Sequence, residues 1–254
     1  MFARMTDNLT TLLLLLRSLL FGIGLVLSIS VVASLVVLSF PLPFTRRYRI
    51  SQYWTRFAIW WLRMTCRIQY QLSGVEHIPD QPVVVMSKHQ STWETLFLHQ
   101  YLPPVAWVIK RELLWLPFFG WAIALLRPIA INREMGASAV KQVIRQGTQY
   151  LQQGQWVVIF PEGTRVAPGV RQRYGMGGAA LAARSGCPIL PVALNSGEFW
   201  PRGQFLKRPG TVHVVFGPLI ASEGLSPQAL NQQVENWIES EMARISAVPV
   251  QSAD

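Results

Sequence analysis

Trp156-Val157-Val158-Ile159-Phe160-Pro161-Glu162-Gly163-Thr164-Arg165 decides how the rest of this chain is read. Its first half is an unbroken apolar run, the pattern of a strand buried on both faces. Pro161 cannot donate to a sheet ladder and stops the strand. Gly163 permits the tight backbone that a close approach needs. Glu162, Thr164 and Arg165 then place a carboxylate, a hydroxyl and a guanidinium at the strand's carboxyl end. In an open α/β sheet that end is where ligands bind. An isolated Pro-Glu-Gly-Thr is equally well a surface turn. Its place after a dry strand, in a basic chain, points to an anion site.

Outward from this stretch, strand and helix patterns alternate. Strands are expected at 83–86, 105–109, 128–131, 189–194 and 212–216. Helices are expected at 92–101, 137–153 and 177–184. A last helix opens at Ser226-Pro227, with Ser as cap and Pro in the first turn. Such alternation implies α/β layers, a single domain whose largely parallel or mixed central sheet is flanked by helices.

The amino-terminal part reads differently. No charge occurs from Ser18 to Thr45. As a helix, these residues would extend roughly 42 Å at about 1.5 Å each, against a hydrocarbon core of about 30 Å. That is longer than a signal-peptide core and lacks a small-residue cleavage site. Residues 1–45 are expected to form a membrane anchor, a tilted span in preference to a re-entrant segment. Arg46, Arg47, Arg49, Arg56, Arg63 and Arg67 follow it, which by the positive-inside rule puts the remainder in the cytoplasm. Among them Ile50, Tyr53, Trp54, Phe57, Trp61 and Met64 recur at helical spacing. Residues 46–72 are therefore expected to be a basic amphipathic helix lying at the membrane interface. The α/β domain would occupy 73–245, with a flexible tail at 246–254.

Composition agrees with a membrane-bound protein. Half of the 254 residues are apolar and 14% are charged, against about 25% in ordinary soluble domains. The formal charge of +10 favours anionic partners. Because the arginines cluster beside the anchor, an anionic leaflet explains them at about 1 kcal/mol each. No nucleic acid is expected as a partner. Cys66 and Cys187 are far apart, with neither disulfide nor metal-site spacing.

The first strand of the domain runs into Ser87-Lys88-His89-Gln90-Ser91-Thr92-Trp93-Glu94. A carboxylate five residues after a histidine can fix its tautomer and steady the imidazolium while the ring takes a proton. Ser91 to Glu94 is also a capping box, in which Glu94 would serve only the helix start. The pair gains weight from lying at the same sheet edge as residues 160–165. His77, His99 and His213 read as structural. Gly175-Met176-Gly177-Gly178 imitates a dinucleotide fingerprint but follows a charged loop, and reads as a helix start built for close packing.

The His-x4-acid block, followed some 70 residues later by Phe-Pro-Glu-Gly-Thr-Arg, resembles the glycerolipid acyltransferases. Lys110-Arg111-Glu112-Leu113, Pro117-Phe118-Phe119-Gly120 and Ile129-Ala130-Ile131-Asn132-Arg133 are similar to that family's middle block, and Pro191-Val192-Ala193 to its fourth. Two positions depart from the pattern: Glu94 stands where the family usually has Asp, and Arg127-Pro128 where the middle block usually opens with Gly. The resemblance implies acyl transfer from a thioester, acyl-CoA or acyl-carrier protein, to the free hydroxyl of lysophosphatidic acid. His89 would be the general base, oriented by Glu94, with no acyl-enzyme. Arg165, Lys110 and Arg133 would hold the phosphate, and Glu162, Gly163 and Thr164 would shape the same pocket. Neither metal nor cofactor is implied. Membrane lipids would be further partners, and the location would be the bacterial inner membrane, facing the cytoplasm. Alternatives are another acceptor (a lyso-aminolipid, another lysophospholipid or glycerol-3-phosphate), a thioester hydrolase, or a non-catalytic binder of anionic lipid.

Overall fold

The computed structural model describes residues 2–249. Helix α1 (Phe2–Leu38) and helix α2 (Phe44–Cys66) form a hairpin. Strand β1 (Ile68–Ser73) follows, then β2 (Val84–Ser87), α3 (Trp93–Tyr101), β3 (Val105–Lys110), α4 (Phe119–Ala124) and β4 (Ile129–Ile131). The rest is α5 (Ala137–Gln152), β5 (Trp156–Ile159), α6 (Gly177–Ser185), β6 (Ile189–Leu194), β7 (Gly210–Phe216) and α7 (Pro227–Ile245).

The seven strands form one sheet in the order β1-β7-β6-β2-β5-β3-β4. Every neighbouring pair is parallel except β6 with β7. The sheet is therefore mixed, with five strands from β6 to β4 running the same way. Its central strands carry side chains into two separate apolar layers. Val85, Trp156, Val158 and Leu190 pack with α2 and α3 on one face. Val84, Met86, Val157 and Ile159 pack with α5, α6 and α7 on the other. Burial on both faces is why these strands read as continuous apolar runs rather than as alternations. Gly178 lets the start of α6 lie on Met86, where a Cβ would come within 2.7 Å of the sulfur. The glycine-rich stretch is thus a packing device.

Two expectations need correction, and one helix was not anticipated. The segment expected as one interfacial element over 46–72 is divided: α2 ends at Cys66, Arg67 adopts a left-handed conformation (φ 56°), and 68–73 become the edge strand β1. Ile68-Gln69-Tyr70-Gln71-Leu72 alternates apolar and polar residues, the half-buried strand pattern, so the sheet begins before residue 73. Helix α4 was not foreseen, because six residues are too few to show a helical period. The tail is held as far as it is described, since Ser246 Oγ and the Ala247 N–H both donate to Glu198 Oε1, at 2.7 and 3.1 Å. Its residues from 250 on lie outside the described part.

Residues Leu9–Leu38 of α1 are long and apolar enough to cross a membrane. One side of the helix is nonetheless occupied by protein along most of its length. Ser18 Oγ accepts from the Lys207 N–H at 2.9 Å, and Phe21 is fully buried against Trp200. Further on, Gly24 leaves room for the Trp61 ring, Ser28 Oγ accepts from Trp54 Nε1, and Ala33 and Val36 pack with Ala122 of α4. Leu16, Leu20, Ile23, Leu27 and Val31 on the other side are exposed. On α2, Tyr48, Ser51, Thr55, Ala58 and Leu62 face the domain, while Tyr53, Phe57, Trp60 and Met64 face outward.

Candidate active site

Because β6, β2, β5, β3 and β4 are parallel neighbours, residues at or just past their carboxyl ends line up along one edge. In that order they are Ser196, His89, residues 160–165, Lys110 and Arg133. The crossovers around β2 open a crevice there, as in other open α/β sheets.

His89 Nδ1 and Glu94 Oε1 are 2.8 Å apart. The same Oε1 accepts the backbone N–H groups of Gln90 and Ser91, each at 2.7 Å. Oε2 accepts Ser196 Oγ–H at 2.6 Å. Ser91 Oγ in turn accepts the Trp93 N–H at 3.2 Å. The capping box and the His–carboxylate pair therefore coexist in one side chain. Glu94 is fully buried, and three donors besides the imidazole compensate its charge. With Nδ1–H donated to a carboxylate, Nε2 is the ring nitrogen left free to accept a proton. The imidazole lies flat on Phe160, with centroids 3.7 Å apart and planes at 6°, and Trp107 backs Phe160.

His89 opens into a cavity of about 490 Å³ with two contrasting ends. One end carries Lys110, Arg133, Arg165, Arg202 and the Thr164 hydroxyl. Arg165 Nη1 donates to Thr92 Oγ1 at 2.9 Å, and Arg202 Nη1 to Thr164 Oγ1 at 2.8 Å. Arg133 Nη1 donates to the Gly163 carbonyl, and Gly163 takes a positive φ of 69° in the turn. Burial lowers the Arg133 pKa, against the opposing pull of Glu112. The other end is apolar, walled by Ile29, Val32 and Val36 of α1, Trp54 of α2, and Phe119, Ile123 and Leu126.

Glu162 and Gly163 do not line this cavity. Glu162 points inward, where its Oε1 accepts the His89 N–H at 3.3 Å and lies 3.4 Å from Lys88 Nζ. Lys88 also meets Glu239 of α7 at 2.7 Å, and Glu239 accepts Tyr174 Oη–H at 2.8 Å. One buried ammonium thus serves two carboxylates, and among the described residues Glu162 Oε2 has no hydrogen-bond partner. Burial accordingly pushes Glu162 up to about 7, despite Lys88. Its carboxylate fixes the turn beneath His89.

His99 is structural, as its sequence context suggested. Burial pushes it down to about 3. Its Nδ1 accepts from Trp107 Nε1–H at 3.1 Å, which leaves Nε2–H to donate to Ser51 Oγ at 2.8 Å and so ties α2 to α3. Sequence reasoning missed Ser196 and Arg202. Neither belongs to a short motif: each lies in a loop after β6, and only folding brings it to residues 94 and 164. The rule that ligand-facing residues follow parallel strands would have singled out Ser196.

The known proteins most informative here agree in kind. A family model described as Acyltransferase matches residues 69–195. The chain is 50% identical over 211 residues to a 1-acyl-sn-glycerol-3-phosphate acyltransferase of Pseudomonas aeruginosa, covering 82% of each. It is 33% identical over 166 residues to human 1-acyl-sn-glycerol-3-phosphate acyltransferase alpha, covering 63% of this chain and 58% of the human one. The crystal structure of the 1-acyl-sn-glycerophosphate (LPA) acyltransferase PlsC of Thermotoga maritima superposes with a TM-score of 0.77. At 22% identity it covers 94% of this chain and 98% of that one, so the two share a fold. On the family match and the Pseudomonas relative, this chain belongs to the acyltransferase family.

Proposed function

We propose that this protein is a 1-acylglycerol-3-phosphate O-acyltransferase. It moves an acyl chain from a thioester, acyl-CoA or acyl-carrier protein, to the sn-2 hydroxyl of lysophosphatidic acid, and the product is phosphatidic acid. One observation carries the reading: a carboxylate-oriented histidine sits between a cationic end and an apolar end of one cavity. Those ends suit a phosphate and a hydrocarbon chain, the two parts of a lysophospholipid. The names of the relatives at 50% and 33% identity support the choice of acceptor.

In the proposed reaction the phosphate binds to Arg165, Arg133, Lys110 and Arg202 through charge-assisted hydrogen bonds. This sets the free hydroxyl against Nε2 of His89. As the hydroxyl oxygen attacks the thioester carbonyl carbon, its proton passes to Nε2, and Glu94 stabilises the imidazolium. The tetrahedral adduct collapses, the C–S bond breaks, and the leaving sulfur takes the proton from His89. The new ester is formed directly, without an acyl-enzyme, since His89 acts on the acceptor.

The exposed apolar faces of α1 and α2 support association with a membrane, with the arginine-rich side toward the cytoplasm. The contacts of α1 with α2 and with the domain, from Ser18 to Val36, favour a helix lying within one leaflet over a free span. The test is transfer of labelled acyl from each donor to lysophosphatidic acid, with His89→Ala and Arg165→Ala beside the unmodified protein. Label in phosphatidic acid that vanishes with His89→Ala is expected. A folded protein with no transfer from either donor, or transfer that survives His89→Ala, overturns the reading.

A further inference from the structure

Residues 111–126 join β3 to β4 across the rim of the active-site cavity. Arg111–Trp115 form a 3-10 turn, Phe118 takes a positive φ of 59°, and α4 follows at once. Gly120 packs on the preceding turn so closely that a Cβ there would lie 2.5 Å from the Leu114 carbonyl oxygen. This tight knuckle sorts its apolar residues onto two sides. Leu113, Phe119, Ala122 and Ile123 line the cavity. Trp115, Leu116, Phe118 and Trp121 face outward with exposures of 67, 47, 57 and 51%.

Four large apolar side chains side by side mark an interaction surface. Its position and its charges identify the partner. The knuckle packs on the end of α1 through Ala33, Val36 and Ala122, and the same end of that helix exposes Val31, Leu35 and Leu38. Cations flank it as they do at a headgroup layer: Arg111 lies over the Trp115 ring at 6.0 Å, and Lys110 is exposed beside it. Tryptophan is the side chain best suited to that depth.

We propose that residues 111–126 form a lipid-inserted portal. Their outer face enters the bilayer beside α1, and their inner face admits the hydrocarbon chain of a lysophospholipid from the bilayer into the cavity. The role of the cavity rests on the acyltransferase reading; insertion of the outer face does not.

Two measurements test it. In a Cys187→Ser background, an environment-sensitive fluorophore is attached to Trp115→Cys, with Leu27→Cys on the exposed side of α1 and Gln149→Cys on α5 as references. The full chain is reconstituted in phosphatidylglycerol–phosphatidylethanolamine vesicles with brominated acyl chains. Quenching at position 115 close to that at 27, with none at 149, is expected. A label at 115 that stays in water, or is shielded without quenching as in a protein–protein contact, overturns the proposal. Second, Trp115→Gln combined with Leu116→Gln should lower kcat/KM about tenfold for long-chain lysophosphatidic acid in vesicles. A short-chain, water-soluble acceptor should be used at the unmodified rate. Equal losses on both acceptors overturn the portal. If the unmodified protein transfers to neither, the acyltransferase reading fails, and the quenching result still decides insertion.

Discussion

Replacing Glu94 by Gln separates the two jobs of that side chain. The backbone donors of Gln90 and Ser91 lie 2.7 Å from Oε1 and would hold the amide oxygen where the carboxylate oxygen now is. The helix cap therefore survives, and the His89 Nδ1–H keeps an acceptor and its tautomer. What is lost is the negative charge beside the imidazolium formed during transfer. At about 4 Å between charge centres and an effective dielectric of about 20, that charge contributes about 4 kcal/mol. A neutral hydrogen bond that remains offsets about 1 kcal/mol. The net loss of about 3 kcal/mol corresponds to a fall in kcat of roughly two hundredfold. KM for the acceptor should hardly move, because Glu94 lies behind His89. Initial rates over a range of acceptor concentration, with the unfolding midpoint in the same detergent, measure both. A variant within threefold of the unmodified kcat would show that Glu94 is only a cap. A loss confined to KM would refute the orienting role just as directly.

Three further outcomes follow from the same geometry. Ser196→Ala removes one of the two donors to Glu94 that are not backbone groups, and should lower kcat about five- to tenfold at constant KM, the size of one hydrogen bond of about 1 kcal/mol. Arg202→Ala should raise the acceptor KM about tenfold and leave the rate on a phosphate-free acceptor unaffected, whereas equal effects on both would place Arg202 outside the phosphate end. Glu162→Gln should change the pH dependence of stability. Since the folded protein holds the Glu162 proton up to about pH 7 and the unfolded chain releases it near 4.5, the wild type loses stability as pH rises through that window. The variant escapes this loss, so its stability relative to wild type should improve by up to about 3 kcal/mol between pH 4 and 8, read by denaturant unfolding at both. No change in that difference would mean that Lys88 keeps Glu162 ionised.

Much of this protein was legible from pattern. The runs Val83–Met86, Trp156–Ile159 and Ile189–Leu194 announce strands because two-sided burial requires every residue to be apolar. His89 and Glu94 are five residues apart across the turn into α3, so the sequence offered either a pair or a helix cap, and the structure has Glu94 serving both. The charge-free run from Ser18 to Thr45 likewise follows from composition alone. Strand β1 was hidden because its half-buried alternation sits directly behind a helix, and the sequence shows no break until Arg67 turns left-handed.

Contacts between distant residues were another matter. Ser196 reaches Glu94 across 102 positions and Lys88 reaches Glu239 across 151, and no short-range pattern encodes such pairs. They exist because β6 lies beside β2 in the sheet and α7 covers its far face. The direction of Glu162 was decided in the same way: the motif supplies a carboxylate, and the sheet beneath it decides that it faces Lys88 rather than the cavity. Local chemistry thus comes from neighbours along the chain, where the backbone constrains the spacing. Which of those groups share one cavity is decided by strand order, which depends on packing the whole sheet at once.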